Sequence, residues 1–314
     1  MKDKYSLGIG LNLFDAQAIL MKEDGKVVVQ IKRDRKNINA NETIKVLLEL
    51  FEEILAKAKK YKDNIKGVGL ALGGIVNSKK GVVYWPQDNA SYIALPLRDF
   101  LEKKFGFPIF IENDTSACAW AEYTINFPKC RNILYMFSGV GCGIITEGNL
   151  YKGRDGGAGE LFLNPQKVMS SRLGDFSFFK QWPIDLGMIK RTKELISLGK
   201  DTSLVKKISP TGELALGAIL ESAKKKDKVA REVVKEGAFS LGAKIALLIN
   251  LFNPDSIIIG GGLEMGGDFF LEECINSIKK FAFNEMRKNC KISLSKLGAD
   301  ATSLGAAMLV FLKK

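Results

Sequence analysis

The chain has 314 residues, 46% of them hydrophobic and 26% charged, which excludes a disordered chain, a collagen or a low-complexity filament. At roughly 150 residues per domain this length predicts two domains, with a core large enough to stand without disulfide or metal staples. Lys plus Arg minus Asp plus Glu gives 47 − 35 = +12. The lysines are scattered over stretches such as Lys57-Ala58-Lys59-Lys60, Lys224-Lys225-Lys226 and Lys279-Lys280, so they read as solvated helix faces rather than a stripe tracking phosphates.

In chain order, residues 7–13, 16–21 and 27–31 read as three strands, the last two joined by a turn at 23–26. A helix follows over 42–58, capped by Asn39 or Asn41, with Ile44, Leu47, Leu48, Phe51 and Leu55 at helical spacing. Residues 68–72 form a strand ending in Gly73-Gly74, and 82–85 are extended. Then come a helix over 97–105, a short buried strand over 108–111, and a helix that opens at Asn113 and breaks at 127–129. The pattern restarts with strands at 132–137, 141–146 and 150–151. Three strands followed by a helix-bearing region thus occur twice, with the boundary at 127–131. From 186 onward the chain is mostly helical, with Val229, Val233, Leu241, Ile245 and Leu248 forming one apolar stripe that Pro254 ends. A strand at 256–259, three glycines, a helix over 274–283, a strand at 292–294 and a helix over 303–312 complete it. Strands alternating with helices predict an α/β architecture with mixed sheets.

There is no histidine, which excludes Ser-His and Cys-His nucleophiles and any His-ligated zinc. The five cysteines (118, 130, 142, 274, 290) contain no CxxC pair and read as reduced thiols of a cytoplasmic protein. The N-terminus has no hydrophobic leader. The longest apolar run, 245–252, is broken by Asn250 and falls short of the ~20 residues of a membrane span.

Four stretches carry chemistry. Ser138-Gly139-Val140-Gly141-Cys142-Gly143 lies between a strand and its partner, where glycines let backbone N–H groups approach a phosphate and Ser138 adds a hydroxyl; a plain bend is the alternative. Ile257-Ile258-Ile259-Gly260-Gly261-Gly262 runs a buried strand into bare backbone, which suits a flat ligand or a tight turn. Gly153-Arg154-Asp155-Gly156-Gly157-Ala158-Gly159-Glu160 is a loop whose terminal carboxylate can accept from hydroxyls or sit in solvent. In Ile111-Glu112-Asn113-Asp114 a strand ends at a helix start. Capping explains acidic and amide side chains there, yet Asp114 is also placed as a general base where no histidine is available.

These pieces, in this order, resemble the ROK family of repressors and sugar kinases, and the resemblance covers nearly the whole chain, including Leu304-Gly305-Ala306-Ala307. The resemblance implies a two-domain actin-like ATPase/sugar-kinase (ribonuclease H-like) fold with mixed sheets flanked by helices. Residues 1–127 form a small lobe, on which a C-terminal helix near 301–314 packs back, and 128–300 form a large lobe. It implies a homodimer and a sugar and ATP bound in a cleft between lobes. Carried over by position, Asp114 is the base. Asn113 and Glu160 are sugar ligands, Ser138, Gly139 and Gly141 a phosphate loop, and Gly260, Gly261 and Gly262 the nucleotide-side strand end.

The sequence departs from the family in three places. Its first phosphate loop, Asp-x-Gly-Gly-Thr, reads Gly10-Leu11-Asn12-Leu13-Phe14 here, so the acid that organises Mg²⁺ is missing and Leu13 and Phe14 add bulk. The histidine and cysteine cluster of the family's zinc site is absent: Leu163 replaces the histidine, residues 164–200 hold no cysteine, and apolar packing by Leu173, Phe176, Phe178 and Phe179 is the expected substitute. No helix-turn-helix precedes the first strand, so DNA binding by this chain alone is not expected. Two function classes follow: a sugar kinase using ATP and Mg²⁺ with Asp114 as base, or a catalytically silent sugar sensor. A structural partner with an empty cleft is disfavoured because buried polar groups would be left unpaired.

Overall fold

The sequence Tyr5–Leu11 alternates large apolar side chains with Ser6, Gly8 and Gly10, and as strand β1 it is buried at all seven positions. Such a strand needs cover on both faces. The computed structural model describes residues 3–12, 15–34, 40–86, 92–161 and 184–312. They form two compact units, 1–129 with 143–159 and 299–314, and 130–142 with 160–298.

In the first unit β2 (Asp15–Lys22) pairs antiparallel with β1, and β3 (Val27–Asp34) pairs antiparallel with β2. On the other side β4 (Ile65–Leu72) is parallel to β1. Helix α1 (Ala40–Lys57) buries Leu47, Leu50, Phe51 and Ile54 in the cluster that holds Leu7, Ile9 and Leu11. By strand alternation Gly8 and Gly10 face the other way, against the C-terminal helix Ala301–Leu309. That helix lies with its backbone directly on the sheet: a Cβ on Gly69 of β4 would fall 1.7 Å from the Ala306 oxygen, so only glycine fits there.

A small antiparallel sheet of β5 (Ile75–Asn77), β6 (Val82–Pro86) and β7 (Tyr92–Leu95) follows. Helix α2 (Leu97–Phe105) ends on Gly106, and β8 (Ile109–Asn113) joins β4 in parallel register, with Leu72 opposite Asn113. The first sheet therefore has the order β3-β2-β1-β4-β8. Helix α3 (Asp114–Asn126) starts directly from β8.

In the second unit β9 (Ile133–Phe137) is flanked by the start of β10 (Gly141–Thr146), which continues into the first unit and pairs there with β11 (Asn149–Leu150). Helices α4 (Ile184–Ser197) and α5 (Leu216–Lys224) pack on α6 (Lys228–Phe252). Asp227 caps α6 by accepting from Ala230 N at 3.0 Å, and Asn253 ends it in the left-handed region, just before Pro254. The stripe Val229, Val233, Leu241, Ile245 and Leu248 is buried. Strand β12 (Ser256–Gly260) is parallel to β9 and to β13 (Lys291–Leu294), while α7 (Gly267–Phe281) covers α6 and α8 (Asn284–Asn289) leads into β13.

The three-strand starts expected at 7 and 132 are both present. Asn41 falls inside α1 rather than capping it, and Asn39 lies outside the described residues. The short strands β5 and β7 are additions to the sequence reading, and α7 starts seven residues earlier than expected because fully buried Phe270 anchors another two turns. Residues 143–159 group with the first unit, a return that the division at 128 does not include. Leu13, Phe14, Leu163, Leu173, Phe176, Phe178 and Phe179 lie outside the described residues. No described helix is long and apolar enough to cross a membrane.

Candidate functional site

In the first unit the chemistry gathers where β8 runs into α3. Asn113 caps the helix: its Oδ1 accepts from Thr115 N at 2.9 Å and Ser116 N at 3.2 Å, and its Nδ2 donates to the Gly74 carbonyl at 3.1 Å. The expected sugar ligand thus has its amide oxygen committed to the helix start. Asp114 is 6% exposed, and its Oδ1 accepts from Thr115 N at 2.7 Å. Its Oδ2 faces Gly73, where an added Cβ would lie 3.6 Å away. The N–H groups and dipole of the first helical turn favour a carboxylate there.

Glu112 is 1% exposed, and a buried carboxylate needs partners. Its Oε1 accepts from Asn113 N at 3.1 Å and its Oε2 is ion-paired with Lys152 Nζ, which also donates to Ser78 Oγ at 3.2 Å. Arg98 ties the same turn, donating to the Lys79 carbonyl at 3.1 Å and the Ile109 carbonyl at 3.2 Å. The sequence reading missed Lys152. A signal existed: Glu112 sits at the buried end of a strand and so demands a cation, and Lys152 directly precedes the glycine loop.

That loop needs its glycines for space as well as conformation. At Gly156 φ is 98° and a Cβ would lie 1.9 Å from the Val76 carbonyl. Beyond the loop, Glu160 is exposed and bridges to Gly141, while Leu161 N donates to the Val140 carbonyl at 2.9 Å.

In the second unit the turn after β9 and the glycines after β12 come together. Ser138 is fully buried at φ 47°, and its Oγ donates to the Gly261 carbonyl at 2.8 Å. The hydroxyl expected to face a phosphate is therefore spent on joining the two turns. Gly261 and Gly262 have φ of 70° and 87°. A Cβ on Gly260 would lie 1.9 Å from the Tyr135 hydroxyl, so the first of the three glycines serves packing. Burial pushes the neighbouring Cys142 thiol up to about 12, which removes it as a nucleophile.

The turn after β1 is built differently. A Cβ on Gly10 would lie 2.8 Å from Thr302 Cγ2 and 3.0 Å from Ser303 N. Asn12 donates to Asp15 Oδ1 at 3.1 Å and to Thr302 Oγ1 at 3.3 Å, and accepts from Asp15 N at 3.0 Å. Desolvation pushes the Asp15 carboxyl up to about 6. Among the described residues no group of three Cys, Asp or Glu side chains is placed to hold a metal ion.

The sequence profile of the ROK family matches residues 6–166 and 196–313. The chain belongs to the ROK family. Among ROK relatives, a xylose repressor of Caldicellulosiruptor bescii is 28% identical over 311 residues, spanning 97% of this chain and 77% of the repressor. A glucokinase of Halalkalibacterium halodurans is 25% identical over 318 residues, spanning 99% and 96% of the two chains. The structure of a ROK family glucokinase from Streptomyces griseus, in complex with glucose and AMPPNP, superposes with a TM-score of 0.75 at 24% identity, covering 97% of this chain and 98% of that one. This likeness establishes the shared ROK sugar-kinase fold.

Proposed function

We propose that this protein binds a hexose or hexose derivative and transfers the γ-phosphoryl group of ATP to one of its hydroxyls, with Asp114 as general base. The observation that carries this reading is Asp114 itself: a buried carboxylate with one oxygen fixed by Thr115 N and the other turned to Gly73. In this reaction Oδ2 takes the hydroxyl proton as the alkoxide oxygen bonds to the γ-phosphorus. The bond from that phosphorus to the bridging oxygen breaks, and ADP departs with the electron pair. Phosphoryl transfer relies mainly on positioning and charge stabilisation, so a small set of side chains suffices. Asn113 fixes the helix start and keeps one amide hydrogen for a sugar hydroxyl. Glu160 is the second hydroxyl ligand. The turns at Ser138, Gly139 and Gly141 and at Gly260, Gly261 and Gly262 take the nucleotide. Mg²⁺ arrives with ATP as part of the substrate, and the first turn gives it no ligand at Gly10. The same reading makes the protein a cytoplasmic homodimer that acts on a small-molecule sugar.

One observation favours a second reading, a sugar sensor without turnover. The space of the lost acid at Gly10 is filled by Thr302 and Ser303, and Asn12 is engaged with Asp15 and Thr302. The repressor relative agrees with that reading and the glucokinase relative with the first. Thermal denaturation with hexoses, amino sugars and Mg–ATP, paired with a phosphorylation assay of wild type and Asp114→Asn, separates them. The kinase reading expects stabilisation by both ligands and a rate about 10²–10⁴-fold lower in the variant at unchanged stability. Stabilisation by sugar alone, without transfer, selects the sensor.

A further inference from the structure

Lys244 breaks the pattern of its own helix. It lies between Ala243 and Ile245 on the buried side of α6, and only 8% of it is exposed. Its Nζ donates to the Gly139 carbonyl at 2.9 Å, and among the described residues no carboxylate pairs with it. Burial lowers its pKa from the ordinary lysine value, and no neighbouring charge opposes the shift. An ammonium held away from water without a counter-ion is strongly disfavoured, and an anion delivered by a ligand removes that penalty.

The turn beside it is shaped for such a ligand. Ser138 and Gly139 both have positive φ, 47° and 76°. The three carbonyls of the turn are all held from within: Ser138 O by Ile184 N at 2.8 Å, Gly139 O by Lys244, and Val140 O by Leu161 N at 2.9 Å. Within the turn the Ser138 N–H donates to the Gly260 carbonyl at 3.4 Å and the Val140 N–H to the Phe137 carbonyl at 3.1 Å, whereas no described carbonyl takes the Gly139 N–H. A backbone amide left open in a turn can donate to an anion, and a fixed cation beneath deepens the potential. A Cβ on Gly139 would strike Ile184 Cγ1 at 2.6 Å, so the turn rests directly on its support.

We infer that Lys244 is the fixed positive charge of a phosphoryl-binding site at the turn Ser138–Gly139–Val140–Gly141, and that it sets the affinity of that site. The inference deepens the proposed nucleotide role of this turn and rests on it. The ligand chemistry is a phosphate ester or anhydride, which a nucleotide or a sugar phosphate can supply.

The test is calorimetric titration of the full chain with Mg–ADP, a hexose 6-phosphate and inorganic phosphate, in wild type, Lys244→Met and Lys244→Arg. Melting curves are recorded in phosphate-free buffer and at saturating ligand. The inference expects at least one of these anions to bind wild type, to bind Lys244→Met at least 10-fold more weakly, and to retain part of its affinity in Lys244→Arg. It also expects Lys244→Met to melt above wild type without anion, because the unpaired charge is gone, and the gap to close when anion is added. Binding of ADP assigns the site to a nucleotide, and binding of the hexose phosphate alone to a sugar phosphate; either supports it. Equal affinity in Lys244→Met, no binding of any of the three to wild type, or a lower melting point of Lys244→Met in phosphate-free buffer overturns it. If wild type phosphorylates a hexose and Lys244→Met does so with unchanged KM for ATP and unchanged affinity for all three anions, the kinase reading stands and this inference fails. If anion binding depends on Lys244 and no transfer occurs, the inference stands and the kinase reading fails.

Discussion

The turn after β1 and the turn after β9 occupy the same place in two similar strand patterns, yet they treat their glycines in opposite ways. After β1, Gly10 lets the C-terminal helix press on the strand, and Asn12 closes the turn onto Asp15 and Thr302. After β9, Ser138 and Gly139 adopt positive φ, their carbonyls are held from below, and a lysine is buried beneath them. The contrast teaches that glycine in a strand-turn stretch has two physical uses, close packing or a left-handed turn. What lies behind the glycine decides which. The two units also handle buried charge differently. Glu112 is matched by Lys152, whereas Lys244 has only a carbonyl.

The largest expected effect probes that second difference. Lys152→Met leaves Glu112 buried without its cation, and urea unfolding is expected to show a loss of about 3–5 kcal/mol. Double replacement with Glu112→Gln recovers much of it. If Lys152→Met changes stability no more than a surface substitution, the ion pair does not hold the β8 end in place.

The next prediction sharpens the account of the first turn. The Asp15 carboxyl is pushed up to about 6 by desolvation, whereas in the unfolded chain it ionises near 3.9. Between these values the folded state holds the extra proton, so its stability falls as pH rises from about 4 to about 6 and stays lower above that. A rise of this size is equivalent to about 3 kcal/mol. Asp15→Asn should therefore stabilise at pH 8, leave stability unchanged at pH 4, and flatten the profile between. A variant profile parallel to wild type would remove Asp15 as the source.

The smallest effect addresses the lost acid directly. Gly10→Asp places a Cβ against Thr302 and Ser303, and overpacking of this kind costs about 1–3 kcal/mol. The variant is expected to melt lower and to gain no stabilisation from Mg–ATP beyond that of wild type. A gain in ATP binding would show that the first turn keeps room for a phosphate.

Much of the fold was legible because its signals are local. Helix α2 and strand β10 run over the predicted residues, since each is bounded by its own glycine or proline: Pro96 and Gly106 for α2, Gly141 and Gly148 for β10. The short strands β5 and β7 were not, because three or four residues carry no periodicity. At the site, Asp114 and the glycine turns were legible as motifs. The work of Asn113 and Ser138 within the fold was not, because capping and turn-joining depend on which backbone group lies opposite. Lys152 and Lys244 belong to none of the lysine-rich stretches that the sequence marks. A lysine's burial is set by the elements packed around it rather than by its sequence neighbours, so composition could not single out either one.

The most direct measurement is a crystal structure of the wild-type protein with a bound hexose. The account predicts a sugar hydroxyl oxygen about 2.6–3.2 Å from Asp114 Oδ2, the reach that proton abstraction requires. A hexose bound with Asp114 Oδ2 beyond reach of every hydroxyl would contradict it.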